Sequence, residues 1–277
     1  MRKIFTSLIL SLGLVASRAD ALSIEDKIYK PTAEDVKKAD KSFALPIWTK
    51  VAIIKGNDEL DPRHANKVRA TFLAHHENKD AKKHYLIVWN HGMNGFRNFS
   101  SNTYPFLKWL YENKKSFTWI APELPWSKNV NNIEGRRSWA KKDSFKTFVK
   151  SAMNETPLMT VGLQQNKELI FVIAGHSRGG KSIRDAARYG GLCDILPNWV
   201  LWSDSTYGKW LDNAWDDCLG NSSVRMEVFY MRGTETQASA KRMQARGNPL
   251  VEFYPLTSPW YHGKIGSSVI MMSEAFR

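Results

Sequence analysis

The chain has 277 residues, 43% of them hydrophobic, and a formal net charge of +13 from 40 Lys and Arg against 27 Asp and Glu. This length and apolar content allow one substantial core, as in a single α/β domain. The basic residues are spread out and form no zinc-finger, basic-zipper or RNA-recognition pattern, which argues against nucleic-acid binding. A basic surface favours anionic partners such as a cell-wall polymer or anionic lipid, although scattered lysines also serve solubility alone.

The N-terminus has the layout of a secretory signal peptide. Two cations precede an apolar run that ends near Ala16, and Ala19 and Ala21 form the small-residue pattern of a cleavage site. The run is shorter than the ~20 residues that span a bilayer, and no later segment is apolar enough to cross one. The alternative is an uncleaved anchor. We expect removal of residues 1–21 and a secreted or periplasmic protein without stable membrane insertion.

Residues 22–49 are polar with a few apolar anchors and are predicted to form an N-terminal arm before one domain over residues 50–277. In that domain, continuous apolar runs alternate with helix-type runs. Continuous runs are typical of strands covered on both faces of a mostly parallel sheet. The predicted strands are 50–56, 84–92, 116–124, 168–177, 198–204, 225–233 and 250–256.

The helix-type runs between these strands predict an open α/β sheet with right-handed crossovers. In such sheets, functional sites form beyond the carboxyl ends of the strands. The predicted helices are 103–113, 136–153, 181–190, 238–246 and 267–276.

A sharp turn follows the fourth predicted strand, in the stretch FVIAGHSRGG. Ser177 lies between Gly175 and Gly179, and a helix-type run follows. A nucleophile elbow needs small residues at these two positions, because a side chain there would collide with the neighbouring strand or helix. The pattern alone also fits a structural turn serine. Its strand–turn–helix context favours a nucleophile.

A serine hydroxyl needs a base to take its proton. After His176 the sequence contains one more histidine, His262, just past the last predicted strand. A late histidine is often only a surface residue, but the chain order and the lack of competitors make His262 the predicted general base.

Two carboxylates compete to orient that histidine. Asp204 ends the strand after the nucleophile and is followed by an STYG turn. Glu235 follows the next strand, which is the commoner position for the acid, and could instead cap a helix. Asp204 could likewise bond only within its own turn. We favour Asp204 and keep Glu235 as the alternative acid.

A glycine-containing loop after the second predicted strand, NHGMNGF, is suited to an oxyanion hole. The expected donors are the backbone N–H groups of Met93 and Arg178, with Gly92 allowing the chain to approach closely. His91 would hydrogen-bond within the loop.

The loop that follows the third predicted strand should border the site. Its Trp126, Arg136 and Trp139 are predicted to bind substrate, since aromatic and guanidinium groups suit sugar or peptide recognition. The alternative for Trp126 and Trp139 is packing in the core. The Arg178 side chain could also meet an acidic group on the substrate.

The chain contains two cysteines, Cys193 and Cys218. In an exported protein this even number permits a disulfide, although the sequence gives no distance between them. We expect no metal and no cofactor.

Together the HG loop, the G-x-S-x-G elbow and the late histidine resemble the α/β-hydrolase superfamily over residues 50–277. The resemblance implies a central sheet, a triad of Ser177, His262 and an acid, and an acyl-enzyme intermediate. The short segment between Asp204 and Arg225 leaves no room for a large lid domain. The expected function is that of an exported serine hydrolase cleaving an ester, amide or peptide bond in a cell-envelope substrate. The alternative is a non-catalytic protein of the same fold that binds an anionic polymer.

Overall fold

The computed structural model describes residues 45–56, 70–92, 99–124, 138–139, 141–161, 167–257, 260 and 262–277. The predicted signal peptide and nearly all of the predicted N-terminal arm lie outside these residues. Over the described ranges, no helix combines the length and apolarity needed to cross a membrane.

Eight strands in the described residues form one sheet, in the order β1-β2-β4-β3-β5-β6-β7-β8. β1 and β2 are antiparallel to their neighbours, and all pairs from β4 to β8 are parallel. The strands are β1 (Trp48–Ile53), β2 (Ala70–His76), β3 (Lys83–Asn90), β4 (Ser116–Pro122), β5 (Glu168–His176), β6 (Trp199–Ser203), β7 (Arg225–Met231) and β8 (Val251–Leu256).

Seven of these strands overlap the predicted ones, and β2 was missed. Its sequence, ATFLAHH, contains Ala, Thr and two His instead of a continuous apolar run. Most of its residues are nevertheless buried, because β2 pairs with both β1 and β4. The pairing of β2 with two neighbouring strands therefore buries residues that its amino-acid composition did not predict to be buried.

Both faces of the sheet are covered, as the continuous apolar runs predicted. Along β3, Leu86 and Val88 belong to one core cluster, and Ile87 and Trp89 to another. Helices in the described residues cover the two faces. They are α1 (Phe99–Glu112), α2 (Ser144–Asn154), α3 (Pro157–Val161), α4 (Gly179–Arg188), α5 (Trp210–Asp217), α6 (Glu235–Gln244) and α7 (His262–Ile265).

Two predicted helices differ from the structure. α2 begins at Ser144 instead of residue 136, because Asp143 adopts a left-handed backbone with φ 60° that ends the preceding turn. The predicted helix 267–276 is two short 3-10 turns. Ser273 between them is extended, and its hydroxyl accepts a hydrogen bond from the Ala275 N–H. The helices α3, α5 and α7 were not predicted.

The disulfide between Cys193 and Cys218 forms, with a Cα–Cα distance of 5.6 Å. It joins the 3-10 turn after α4 to the residue that ends α5. Closing a loop of 25 residues stabilises a fold by about 3.5 kcal/mol in the chain-entropy model. The bond ties together two helices that pack beside the predicted site.

Two buried histidines lie at the opposite edge of the sheet from the carboxyl ends of the parallel strands. His75 bonds to Thr118, and His84 bonds to both Ser116 and Thr118, each at 2.9 Å. Burial lowers the pKa of His75 to about 4 and that of His84 to about 3. Both imidazoles are therefore neutral and belong to a structural network, far from the predicted nucleophile.

Candidate active site

The nucleophile elbow is formed by the tight turn after β5. Ser177 has a left-handed backbone with φ 52°, and its N–H donates to the Ser203 carbonyl at 3.2 Å. A Cβ on Gly179 would lie 2.0 Å from the Asn90 oxygen, and one on Gly175 would lie 2.8 Å from a methyl of Ile183. Glycine is therefore required on both sides of the serine, as the motif predicted.

The neighbouring strand, β6, ends in a similar turn. Asp204 also has a left-handed backbone, with φ 45°, and its N–H donates to the Phe229 carbonyl at 2.8 Å. In the parallel register His176 pairs with Ser203, so both turns occur at the same level of the same edge. Two positive φ values at non-glycine residues are uncommon and often mark functional sites.

His262, the first residue of α7, bridges the two turns. Its Nε2 lies 2.9 Å from the Ser177 Oγ, and its Nδ1 lies 2.6 Å from the Asp204 Oδ2. The His262 side chain is 44% exposed, whereas that of Asp204 is 3% exposed. In this arrangement the imidazole can take the proton of the serine hydroxyl, and the buried carboxylate orients the imidazole.

The Asp204 carboxylate receives further hydrogen bonds from the end of β7 and the start of α6. The Thr236 hydroxyl donates to Oδ1 at 2.5 Å, and the Met231 N–H donates to the same oxygen at 3.2 Å. Burial raises the pKa of the Asp204 carboxyl, but the hydrogen bonds from His262 and Thr236 outweigh it and lower that pKa below its usual value. Asp204 is therefore ionised at neutral pH and accepts the Nδ1–H of His262.

Glu235, the alternative acid, has a different partner. It is the exposed first residue of α6, and its Oε1 accepts a hydrogen bond from the Gly208 N–H at 2.7 Å. The structure thus brings Asp204, and not Glu235, to the imidazole. Glu235 instead holds the turn that follows Asp204.

His176 supports the histidine-bearing segment. Its Nε2–H donates to the main-chain carbonyl of His262 at 3.0 Å, and the two rings lie 4.8 Å apart. Burial, followed by the proximity of His262, lowers the pKa of His176 to about 4. His176 is therefore a neutral donor that fixes the backbone of His262. It lies inside the predicted motif, but no sequence pattern indicated this contact, which depends on the three-dimensional position of His262.

The loop after β3 touches the elbow. A Cβ on Gly92 would lie 2.9 Å from the Ser177 Cβ, so glycine is needed for this approach. His91 donates from Nδ1 to the Gly92 carbonyl at 2.6 Å and accepts the Leu124 N–H at Nε2, as expected for a structural residue. Met93 lies outside the described residues.

Arg178 presents two groups beside the nucleophile. Its backbone N–H has no acceptor among the described residues, which leaves it available to a substrate oxygen. Its side-chain Nη1 is buried and has no hydrogen-bond partner in the described part of the chain. A buried guanidinium nitrogen without an acceptor is costly, so an anion would be favoured there.

Of the three predicted substrate-binding residues, the structure describes Trp139. Trp139 is fully buried, packs 5.1 Å from Phe145 and 5.0 Å from Phe148, and donates from Nε1 to the Ser182 hydroxyl. This position favours the core alternative for Trp139. Trp126 and Arg136 lie outside the described residues.

No protein-family model and no curated protein matches the sequence. Solved structures do match. Enterochelin esterase from Shigella flexneri superposes with a TM-score of 0.52 at 14% identity, over 84% of this chain and 60% of that chain. The enterobactin esterase from Shigella flexneri gives a TM-score of 0.51 at 12% identity, with the same two coverages. A dienelactone hydrolase from Anabaena variabilis gives 0.47 at 10% identity, over 82% of this chain and 94% of that chain.

The chain spans about 60% of the length of the two esterases. At this identity the likeness concerns the fold alone. Together with the strand order, it confirms the predicted α/β-hydrolase fold, with a mostly parallel sheet flanked by helices and no large lid in the described residues.

Proposed function

We propose that this protein is a serine hydrolase that cleaves an ester through Ser177, His262 and Asp204. One observation carries the proposal: a single imidazole lies 2.9 Å from the serine hydroxyl and 2.6 Å from an ionised, buried carboxylate. These are the distances at which a base takes the proton of a nucleophile and is oriented by a third group.

In the proposed acylation step, the Ser177 Oγ attacks the substrate carbonyl carbon while His262 Nε2 takes its proton. The imidazolium is stabilised by Asp204, which accepts the Nδ1–H throughout. His262 then gives the Nε2 proton to the leaving oxygen, and the bond between that oxygen and the carbonyl carbon breaks. In deacylation, His262 takes a proton from water while the water oxygen attacks the acyl carbon. The bond from that carbon to the Ser177 Oγ then breaks, and His262 returns the proton to Oγ.

The developing oxyanion is proposed to accept hydrogen bonds from the backbone N–H groups of Arg178 and Met93. Preorganised donors of this kind contribute about 3 kcal/mol each to transition-state stabilisation. Gly92 supports the assignment of Met93, since it brings the loop after β3 to the serine Cβ.

An exported location is part of the proposal. The signal-peptide pattern of residues 1–21 supports it. The disulfide also supports it, since such bonds persist in oxidising compartments.

The two esterases with similar folds make an ester the favoured scissile group, with an amide or peptide as the alternative.

We test the proposed chemistry with a fluorophosphonate probe, which reacts with activated serines. The purified protein is expected to take up one probe molecule per chain, with peptide mass spectrometry finding the adduct on Ser177. Ser177→Ala should take up none, while the matched Ser222→Ala, in the loop before β7, should label fully. Wild-type protein that is folded but unlabelled would sink the serine mechanism and favour a binding protein of the same fold.

The substrate is proposed to carry a negative charge, as an anionic cell-envelope component does. This class is supported by the basic composition of the full chain, 40 Lys and Arg against 27 Asp and Glu, and by the buried Nη1 of Arg178, which has no hydrogen-bond partner among the described residues. A charged hydrogen bond is worth about 1.5–3 kcal/mol, so kcat/KM should be about 10- to 100-fold higher for an ester with a terminal carboxylate than for its neutral isostere.

The measurement compares mono-p-nitrophenyl glutarate with p-nitrophenyl valerate. Arg178→Gln keeps the backbone N–H and should bring the ratio of the two kcat/KM values close to one. Arg188→Gln, at the far end of α4, removes the same charge and should keep the wild-type ratio. A ratio near one in the wild type contradicts an anionic substrate.

A further inference from the structure

Ser203, the last residue of β6, contacts two of the segments that carry the proposed triad and directly precedes the third. Its carbonyl accepts the Ser177 N–H at 3.2 Å, and its hydroxyl donates to the Gly266 carbonyl at 2.8 Å. Gly266 directly follows α7, and Asp204 directly follows Ser203. The Ser203 side chain is fully buried, which strengthens its hydrogen bond. One residue therefore links the nucleophile, the acid and the helix that carries the base.

His176 holds the other end of α7. It is the residue before the nucleophile, and it pairs with Ser203 across β5 and β6. Paired residues of neighbouring strands project to the same face of a sheet. The Nε2–H of His176 donates to the carbonyl of His262, the first residue of α7, at 3.0 Å. Together with the bond from Ser203 to Gly266, this contact fixes α7 at both of its ends.

α7 is too short to hold its own position. It has 4 residues, and helices shorter than about 12 residues are marginal without tertiary contacts. Apolar packing holds its later part, where Ile265 is fully buried in a cluster with Phe229. The His262 side chain at its start is 44% exposed, so the main-chain hydrogen bond from His176 anchors this end.

The donor beside the base is uncharged. A carbonyl can only accept, so the Nε2 of His176 carries a proton, and burial lowers the pKa of His176 to about 4. A lysine or arginine here would oppose the formation of an imidazolium on His262, whose ring centroid is 4.8 Å away. The neutral imidazole of His176 can therefore hold the backbone without opposing the proton transfer.

We propose that Ser203 and His176 are positioning residues, which set the distance from His262 Nε2 to the Ser177 Oγ by holding both ends of α7. The inference rests on the proposed serine mechanism. The distance is 2.9 Å in the structure, and a misplacement of about 1 Å can cost about 100-fold in rate. Neither residue exchanges a proton in the mechanism, so their loss should change kcat and leave KM nearly constant.

Ser203→Ala tests the first contact, since it removes one hydroxyl and keeps the turn. We expect kcat for p-nitrophenyl acetate to fall about 10- to 100-fold, with KM within about threefold. The rate constant for fluorophosphonate labelling should fall by the same factor. The matched control is Ser239→Ala, which removes a buried hydroxyl of α6 that has no partner among the described residues and should keep the wild-type kcat.

Three variants test the second contact. His176→Phe keeps an aromatic ring but loses the donor, and should lose kcat by about 10- to 100-fold. His176→Gln keeps an N–H group near the position of Nε2 and should recover most of that loss. His176→Asn, whose amide is too short to reach the carbonyl, should match His176→Phe and replaces it if that variant does not fold. Melting temperatures report the folding of each variant.

Proton NMR in water reports the position of the base directly. The Nδ1–H of His262, in a 2.6 Å hydrogen bond to the Asp204 carboxylate, should resonate far downfield of the backbone amides. This resonance should be absent in Asp204→Asn. It should shift upfield or broaden in Ser203→Ala and in His176→Phe, and stay unchanged in Ser239→Ala.

Three outcomes would overturn the inference. They are a wild-type kcat in Ser203→Ala, a lower kcat with an unchanged Nδ1–H resonance, and equal losses in His176→Gln and His176→Phe. Failure of the serine mechanism looks different, because the wild-type protein itself would then neither label nor turn over, while Ser203→Ala would still move the resonance.

Discussion

His262→Ala is expected to lower kcat for p-nitrophenyl acetate by roughly a million-fold, because triad members act as one unit. Without the imidazole, the Ser177 proton has no acceptor in the described part of the chain, where Asp204 contacts the serine only through His262. The residual rate should come from the oxyanion donors and from binding. The double variant Ser177→Ala/His262→Ala should be no slower than either single variant, which additive contributions would not produce.

The matched control is His76→Gln, on β2 at the opposite edge of the sheet. It should keep wild-type kcat, and the measurement is steady-state hydrolysis with the melting temperature as a check on folding. A loss of less than about 100-fold in His262→Ala would mean that another group takes the serine proton.

Asp204→Asn is expected to lower kcat by about 10⁴-fold, because an amide cannot fix the Nδ1–H tautomer or stabilise the imidazolium. The shape is kept, so Thr236 and Met231 retain an acceptor for their hydrogen bonds. The protein should fold normally and bind substrate with little change in KM.

Glu235→Gln is the matched control for the acid. Its amide oxygen can still accept the Gly208 N–H, so we expect kcat within about tenfold of the wild type, any loss arising from looser support of the turn that follows Asp204. A larger loss in Glu235→Gln than in Asp204→Asn would reverse the assignment of the acid.

Much of the fold was predictable because the parallel strands are buried on both faces. Continuous apolar runs located β3 to β8, and the glycines around Ser177 located the elbow. β2 was not predicted, because its burial comes from strand neighbours that are remote in sequence. α5 was not predicted, although Trp210, Leu211 and Ala214 give it a buried apolar face, because it is only eight residues long and closely follows the turn after Asp204.

The site was predictable where a residue follows a strand end and unpredictable where a side-chain contact decides. Chain order singled out Ser177 and His262, but it left Asp204 and Glu235 both at the ends of parallel strands. The choice depends on which carboxylate reaches Nδ1 in three dimensions. Thr236, which donates to Asp204, was missed for the same reason, although it adjoins Glu235.

The position of the acid at the end of β6 places two of the three proposed catalytic residues on turns that are held by the sheet. Ser177 and Asp204 are anchored by backbone hydrogen bonds to the adjacent strands, through the carbonyls of Ser203 and Phe229. The histidine lies on a short segment after β8, and His176 holds its main-chain carbonyl. Substitutions in that segment can therefore displace the base while the nucleophile and its carboxylate keep their spacing.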